Sequence, residues 1–213
     1  MCHMGPCRVS EEKPGVCGAT AETVVARNLL REVAAGAAAH SDHGRHLVLL
    51  LKAVAEGENT DYAIRDERRL REAAREYGLD PEGKETLEVA RELAEAMERE
   101  FTLQEGKLGG LRLAPTARQG VWDRMDVAPA GIDSGIVQAL HRTHIGVDHD
   151  YRNLVKGALR TALADGWGGS MVATTVSDIL FGTPSPVRGT ANLGVLSADE
   201  VNVVVHGHEP ALT

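Results

Sequence analysis

A chain of 213 residues that is 43% apolar can build one large domain, but with 3% aromatics its core must be made of Ala, Val and Leu. Small side chains of this kind pack helices more readily than sheets. The net charge of −8 repels phosphate and argues against a nucleic-acid partner.

The first segment, Cys2 to Gly18, is a Gly/Pro/Cys loop. From Thr20 a helical pattern runs to about Ala55, with Val24, Val25, Leu29, Leu30, Val33 and Ala37 near helical spacing and Gly57 as its stop. A second helix is predicted over Glu67–Tyr77, where Leu70, Ala73, Ala74 and Tyr77 share a face and Gly78 caps the end. Pro81 opens a third element, with Leu87, Ala90, Leu93, Ala94, Met97 and Phe101 on one face. The stretch Gly106–Gly131 reads as irregular. Asp133 and Asp150 are predicted caps of two helices, the first carrying Ile136, Val137 and Leu140, the second ending near Gly166. Ser170 caps a further helix that Gly182 closes. A Pro/Gly-containing loop follows from Gly182 to Ser197.

The last element differs. Val201, Val203, Val204 and Val205 form a β-branched run of strand length, and His206-Gly207-His208-Glu209-Pro210 follows. This predicts the opening strand of a parallel βαβ unit whose other strands are missing. The expected fold is therefore mainly α. Residues 1–19 form a cysteine-rich cluster-binding loop, and residues 20–196 a helical bundle domain. Residues 197–213 start a truncated Rossmann-like α/β domain. No run is long enough to span a membrane, because Leu47–Leu51 meets Lys52 at once. Met1–Arg8 has no apolar signal core. A cytoplasmic protein with reduced thiols is expected.

All three cysteines, Cys2, Cys7 and Cys17, fall in the opening loop. Glycine-containing thiolate loops wrap iron–sulfur clusters, since glycines let backbone N–H groups approach the sulfurs. A four-iron cubane takes four thiolates, so one is missing and the chain looks clipped at its start. A zinc site with His3 as fourth ligand, or three unconnected thiols, are the other readings. His40, His43 and His46 recur every third residue on the long helix. Neighbouring imidazoles of that spacing form a ladder able to pass protons, with an exposed His-rich surface or a chance metal site as the plainer readings. Ala37-Ala38-Ala39 lets another element pack beside it. His206 and His208 sit at the carboxyl end of the expected strand, where open α/β sheets place ligands, although either one alone is more simply a buried, hydrogen-bonded histidine. His141 and His144 read as structural. Trp167-Gly168-Gly169-Ser170 reads as a helix start with weak anion-binding character.

Taken in order and spacing, several stretches resemble the catalytic subunit of anaerobic nickel-containing carbon monoxide dehydrogenase. They include Gly15-Val16-Cys17-Gly18-Ala19-Thr20-Ala21 and Ala34-Ala35-Gly36-Ala37-Ala38-Ala39-His40-Ser41-Asp42-His43-Gly44-Arg45. They continue with Ala162-Leu163-Ala164-Asp165-Gly166-Trp167-Gly168-Gly169-Ser170, Ser177-Asp178-Ile179-Leu180-Phe181-Gly182-Thr183-Pro184 and Val205-His206-Gly207-His208-Glu209-Pro210. The resemblance implies oxidation of CO with water to CO2, a buried nickel-iron-sulfur cluster, 4Fe-4S cubanes that feed a ferredoxin-like acceptor, and a homodimer. It matches Cys2, Cys7 and Cys17 to three ligands of one cubane and His40 to an acid–base histidine beside the active cluster. It matches His43 and His46 to a proton ladder, and His208 to a ligand of the iron outside the active cluster's core. His206 matches no ligand. Leu49 stands where some relatives extend the ladder. The remaining cluster ligands and a lysine near bound CO2 are absent, which points to an incomplete chain, inactive alone. Hybrid-cluster proteins that reduce hydroxylamine, a non-catalytic iron–sulfur electron-transfer module, and a non-functional gene fragment are the rival readings.

Overall fold

The computed structural model describes residues 2–5, 7–185 and 199–202, and among these the regular structure is helical throughout. Helix α1 spans Ala21–Ala55, roughly 50 Å at 1.5 Å per residue. Its start and stop are local. The Thr20 side chain accepts from the Thr23 backbone N–H at 3.4 Å, Glu22 lies in the first turn, and Gly57 takes φ +75°, as both ends of a well-capped helix require.

Helices α2 (Glu67–Glu76) and α3 (Thr86–Thr102) follow. Asp66 caps α2 and Gly78, at φ +78°, ends the turn after it. The third element starts at Thr86 rather than at Pro81. Its buried face is Val89, Ala90, Leu93, Ala94, Met97 and Phe101, while Leu87 in its first turn is half exposed.

The expected irregular stretch contains a short 3₁₀ turn, Gly109–Leu113, and helix α4, Thr116–Met125. No residue of α4 is buried, so it carries no apolar periodicity that could announce it. Trp122 on α4 meets Trp167 edge-on at 5.7 Å. Helix α5 spans Ile132–Arg142, with Gly131 at its N-cap. Asp133 lies inside the first turn instead of capping it, and Val137 and Leu140 point outward.

Helix α6, Tyr151–Ala164, is capped by the Asp150 side chain as expected. It does not end at Gly166. A π-helical turn, Asp165–Gly169, carries the chain directly into α7, Ser170–Phe181. The Ser170 N–H bonds the Asp165 carbonyl, so this stretch is helix interior and offers no free N–H groups for an anion.

α1 organises everything else, packing against α3, α5, α6 and α7. Its N-terminal half joins one core, in which Leu30, Ala34 and Ala37 meet Ile136, Leu154 and Ala158. Its C-terminal half joins a second, in which Val48 and Leu51 meet Leu70, Leu93, Met97 and Ile179. At the junction α1 crosses the π turn backbone to backbone. A Cβ added at Gly44 would lie 2.8 Å from the Gly169 carbonyl oxygen. Gly44→Ala is therefore expected to destabilise the domain by about 1–3 kcal/mol through overpacking, against the ~1 kcal/mol that alanine would gain in a free helix. Chemical denaturation reads the sign, and a stabilised variant would refute the crossing.

The expected strand over Val201–Val205 and the motif His206–His208 lie outside the described residues, except that Val201 and Asn202 are described and belong to no strand. No described helix is long and apolar enough to cross a membrane.

Candidate metal centre

The cysteine loop is folded by its own backbone onto the head of α1. The Gly15 N–H donates to the Ala19 carbonyl at 2.9 Å, and Gly18, at φ +80°, closes a turn onto Gly15 at 2.8 Å. Gly5 and Cys2 close a second turn at 3.4 Å. The result places Cys2, Cys7 and Cys17 on the wall of one pocket of about 230 Å³, with Gly5, Val24 and Ile145. All three thiols are free and partly accessible.

Hydrogen-bond donors are directed at two of these sulfurs. The Met4 N–H points at Cys2 Sγ at 3.4 Å. The Cys17 thiol is held below its ordinary value, first by the Ala19 backbone, against desolvation, and then by Arg27, whose Nη1 donates to Cys17 Sγ at 3.8 Å. Among the described residues no three His, Cys, Asp or Glu side chains gather closely enough to hold a single metal ion, so the zinc arrangement with His3 is not assembled. His3 instead donates its backbone N–H to Asn28 Oδ1 at 3.2 Å. A cubane spreads its thiolate ligands around a body larger than one ion. Three free sulfurs on one pocket wall, with donors directed at Cys2 and Cys17, fit such a cluster.

The histidine ladder is a separate place. His40 lies 19 residues into α1, roughly 30 Å along the helix from the cysteine loop. His40, His43 and His46 are all exposed in this domain, as are Ala38 and Ala39, while the opposite face of the same turns packs closely: Ala37 is buried and the Gly169 backbone lies against His40 and Ser41. The rungs are nonetheless oriented. His40 Nδ1 pairs with Asp165 Oδ1 at 2.7 Å, and His46 Nδ1 stands 3.8 Å from Asp42 Oδ2. Beneath them the buried Ser41 donates to Asp133 Oδ1 at 2.5 Å, and Arg45 bonds the same carboxylate at 3.2 Å. His141 and His144 are exposed.

Two groups escaped the sequence reading. Asp165 is presented to His40 by the π turn, at the same crossing where Gly44 meets Gly169. Arg27 is buried in a helix pattern that reads simply as amphipathic. The imidazole–carboxylate pair fixes the tautomer: Nδ1–H donates to Asp165, which leaves Nε2 free to take up or release a proton. Asp165→Asn is expected to lower any turnover that depends on proton exchange at His40 by up to about 10²–10⁴-fold, the range of a lost acid–base group. Unchanged steady-state kinetics would show that the pair is incidental.

The helical fold of the described residues is similar to part of the chain of solved carbon monoxide dehydrogenases. It superposes on the Ni-free carbon monoxide dehydrogenase of Thermococcus sp. AM4 with a TM-score of 0.88 and 53% identity, covering 98% of this chain and 34% of that one. It superposes on an acetyl-CoA synthase/carbon monoxide dehydrogenase with a TM-score of 0.83 at 41% identity, covering 87% of this chain and 28% of that one. The chain belongs to the Prismane/CO dehydrogenase family, whose model matches residues 1–213. Carbon monoxide dehydrogenase 1 of Methanosarcina mazei is 54% identical over all of this chain and 34% of its own length. Carbon monoxide dehydrogenase 1 of Carboxydothermus hydrogenoformans is 44% identical, again over 100% of this chain and 34% of its own length. The chain thus spans about a third of the length of the curated relatives it matches.

Proposed function

We propose that this chain is the helical N-terminal portion of a carbon monoxide dehydrogenase that oxidises CO with water to CO2 and sends the electrons through 4Fe-4S clusters to a ferredoxin-like acceptor. The observation that carries the reading is the likeness over the whole chain, in sequence and in fold, to enzymes of that name. The local geometry supports it at two separate places.

At the head of α1, Cys2, Cys7 and Cys17 hold three corners of a cubane, and a fourth thiolate comes from outside these three. Halfway along α1, the ladder serves proton transfer. When bound, the nickel-iron-sulfur cluster would supply the centre at which CO and water become CO2, releasing two electrons and two protons. His208 is proposed as one of its ligands and lies outside the described residues. His40, oriented through Asp165, accepts a proton at Nε2. His43 and His46 carry it outward, each step climbing about 4.5 Å along the helix. A general base of this kind typically accounts for 10²–10⁴-fold of a rate.

The exposed face of the ladder is one edge of the active cavity, closed by the remainder of the enzyme. Val16, Met4 and Ile145 remain exposed on the wall of the thiol pocket, which supports its burial against further protein, as a homodimer provides. A cytoplasmic location fits the free thiols.

Nickel and iron analysis of the full-length protein, together with CO-dependent dye reduction, tests the reading. Nickel with CO oxidation supports it. Iron alone, redox-active and inert to CO, would assign the chain to an electron-transfer module.

A further inference from the structure

Arg27 is 1% exposed, the largest fully buried side chain among the described residues. Its Nε and Nη2 both donate to the Asp148 carbonyl oxygen, the former at 3.1 Å. Its Nη1 points at Cys17 Sγ at 3.8 Å. The clamp is reinforced on either side: Thr23 Oγ1 donates to the His149 carbonyl at 2.8 Å and Arg31 Nη2 to the Thr143 carbonyl at 2.5 Å. The guanidinium therefore cannot swing away from the thiol pocket.

A guanidinium is always charged, and a buried charge without a counter-charge is costly. Among the described residues no carboxylate forms an ion pair with Arg27; its two carbonyl bonds are to a neutral oxygen, and the side chain it hydrogen-bonds is Cys17. The counter-charge this arrangement calls for is a thiolate ligand and the anionic cluster behind it.

We propose that Arg27 tunes the reduction potential of the cluster held by Cys2, Cys7 and Cys17, acting as a buried cation hydrogen-bonded to a ligand sulfur. The inference rests on the cubane reading above. One-electron reduction adds negative charge to the cluster and its thiolates. A fixed cation at hydrogen-bond range stabilises the reduced state more than the oxidised one and raises the potential, since net charge and hydrogen bonds to sulfur set the potentials of such clusters. Burial leaves this effect unscreened by salt. Arg27 touches no substrate and acts through Cys17, so it is a positioning residue.

The test is a redox titration of full-length, cluster-loaded enzyme, following the paramagnetic signal that Cys17→Ser removes. Arg27→Gln keeps a donor and deletes the charge, and is expected to shift that potential to more negative values with iron content unchanged. Arg27→Lys keeps the charge and is expected to stay close to the wild-type potential. An unmoved potential in Arg27→Gln, or an equal fall in Arg27→Lys, overturns the proposal. If the glutamine variant does not fold, Arg27→Met, which also deletes the charge, is read in its place: a fall in potential supports the proposal, and an unmoved potential overturns it. A domain that fails to fold even with lysine there assigns Arg27 to the fold and overturns it equally. If Cys17→Ser removes no signal at all, the cubane reading fails first, and the two failures are told apart.

Discussion

Replacing His40 with alanine in the full-length enzyme is expected to cut CO oxidation by about 10²–10⁴-fold, the range of a lost general acid–base group, while nickel and iron contents stay at wild-type values. The metal should stay because the proposed role of His40 is proton exchange and not ligation. The fold should stay because the side chain is 56% exposed in this domain, so its removal opens no core cavity. The loss should appear in kcat, since a group that moves a proton in the transition state contributes little to holding the substrate. His46→Ala, further along the ladder and 71% exposed, is expected to have a smaller effect, because water substitutes for an outer rung more easily than for the one at the centre. An alanine variant with full activity would remove His40 from the mechanism. One that lost nickel would make it a ligand.

What was readable in the sequence followed from how local the cause was. Thr20, Gly57, Gly78 and Asp150 act within a turn of themselves, and the helices they bound were found where expected. α4 was missed because nothing on it is buried, leaving Gly120 and scattered polar residues to read as loop. The break expected at Gly166–Ser170 was wrong for a different reason: glycines that commonly end helices here permit close crossing, and the chain continues through a π turn. Such turns occur often at functional sites, and this one delivers Asp165. The candidate site divides in the same way. The spacings of the cysteines and histidines are one-dimensional and visible. The His40–Asp165 pair joins residues 125 apart, and the burial of Arg27 depends on a carbonyl 121 residues away. No local pattern encodes either. Nor did the spacing reveal that the thiol loop and the ladder occupy different regions of one helix rather than one compact centre.

Cys17→Ser is expected to cost the full-length enzyme one cubane's iron. Its reduced-state paramagnetic signal should disappear, and electrons should no longer reach the acceptor through that cluster. The reason is the set of donors around this sulfur. The Ala19 backbone and Arg27 together hold the Cys17 thiol below its ordinary value, and an anionic soft ligand is what iron–sulfur clusters bind. A serine hydroxyl in the same position stays protonated and offers a hard oxygen, while Arg27 loses the sulfur it faces. His3→Ala serves as the contrast. The imidazole has no part in the cubane reading, and His3 is tied to α1 through its backbone N–H on Asn28, so iron should be unchanged. A zinc site built from the same three cysteines would require that histidine as its fourth ligand and would lose metal in both variants. Iron lost with Cys17→Ser and kept with His3→Ala therefore separates the two chemistries, and iron kept in both would remove the loop from cluster binding altogether.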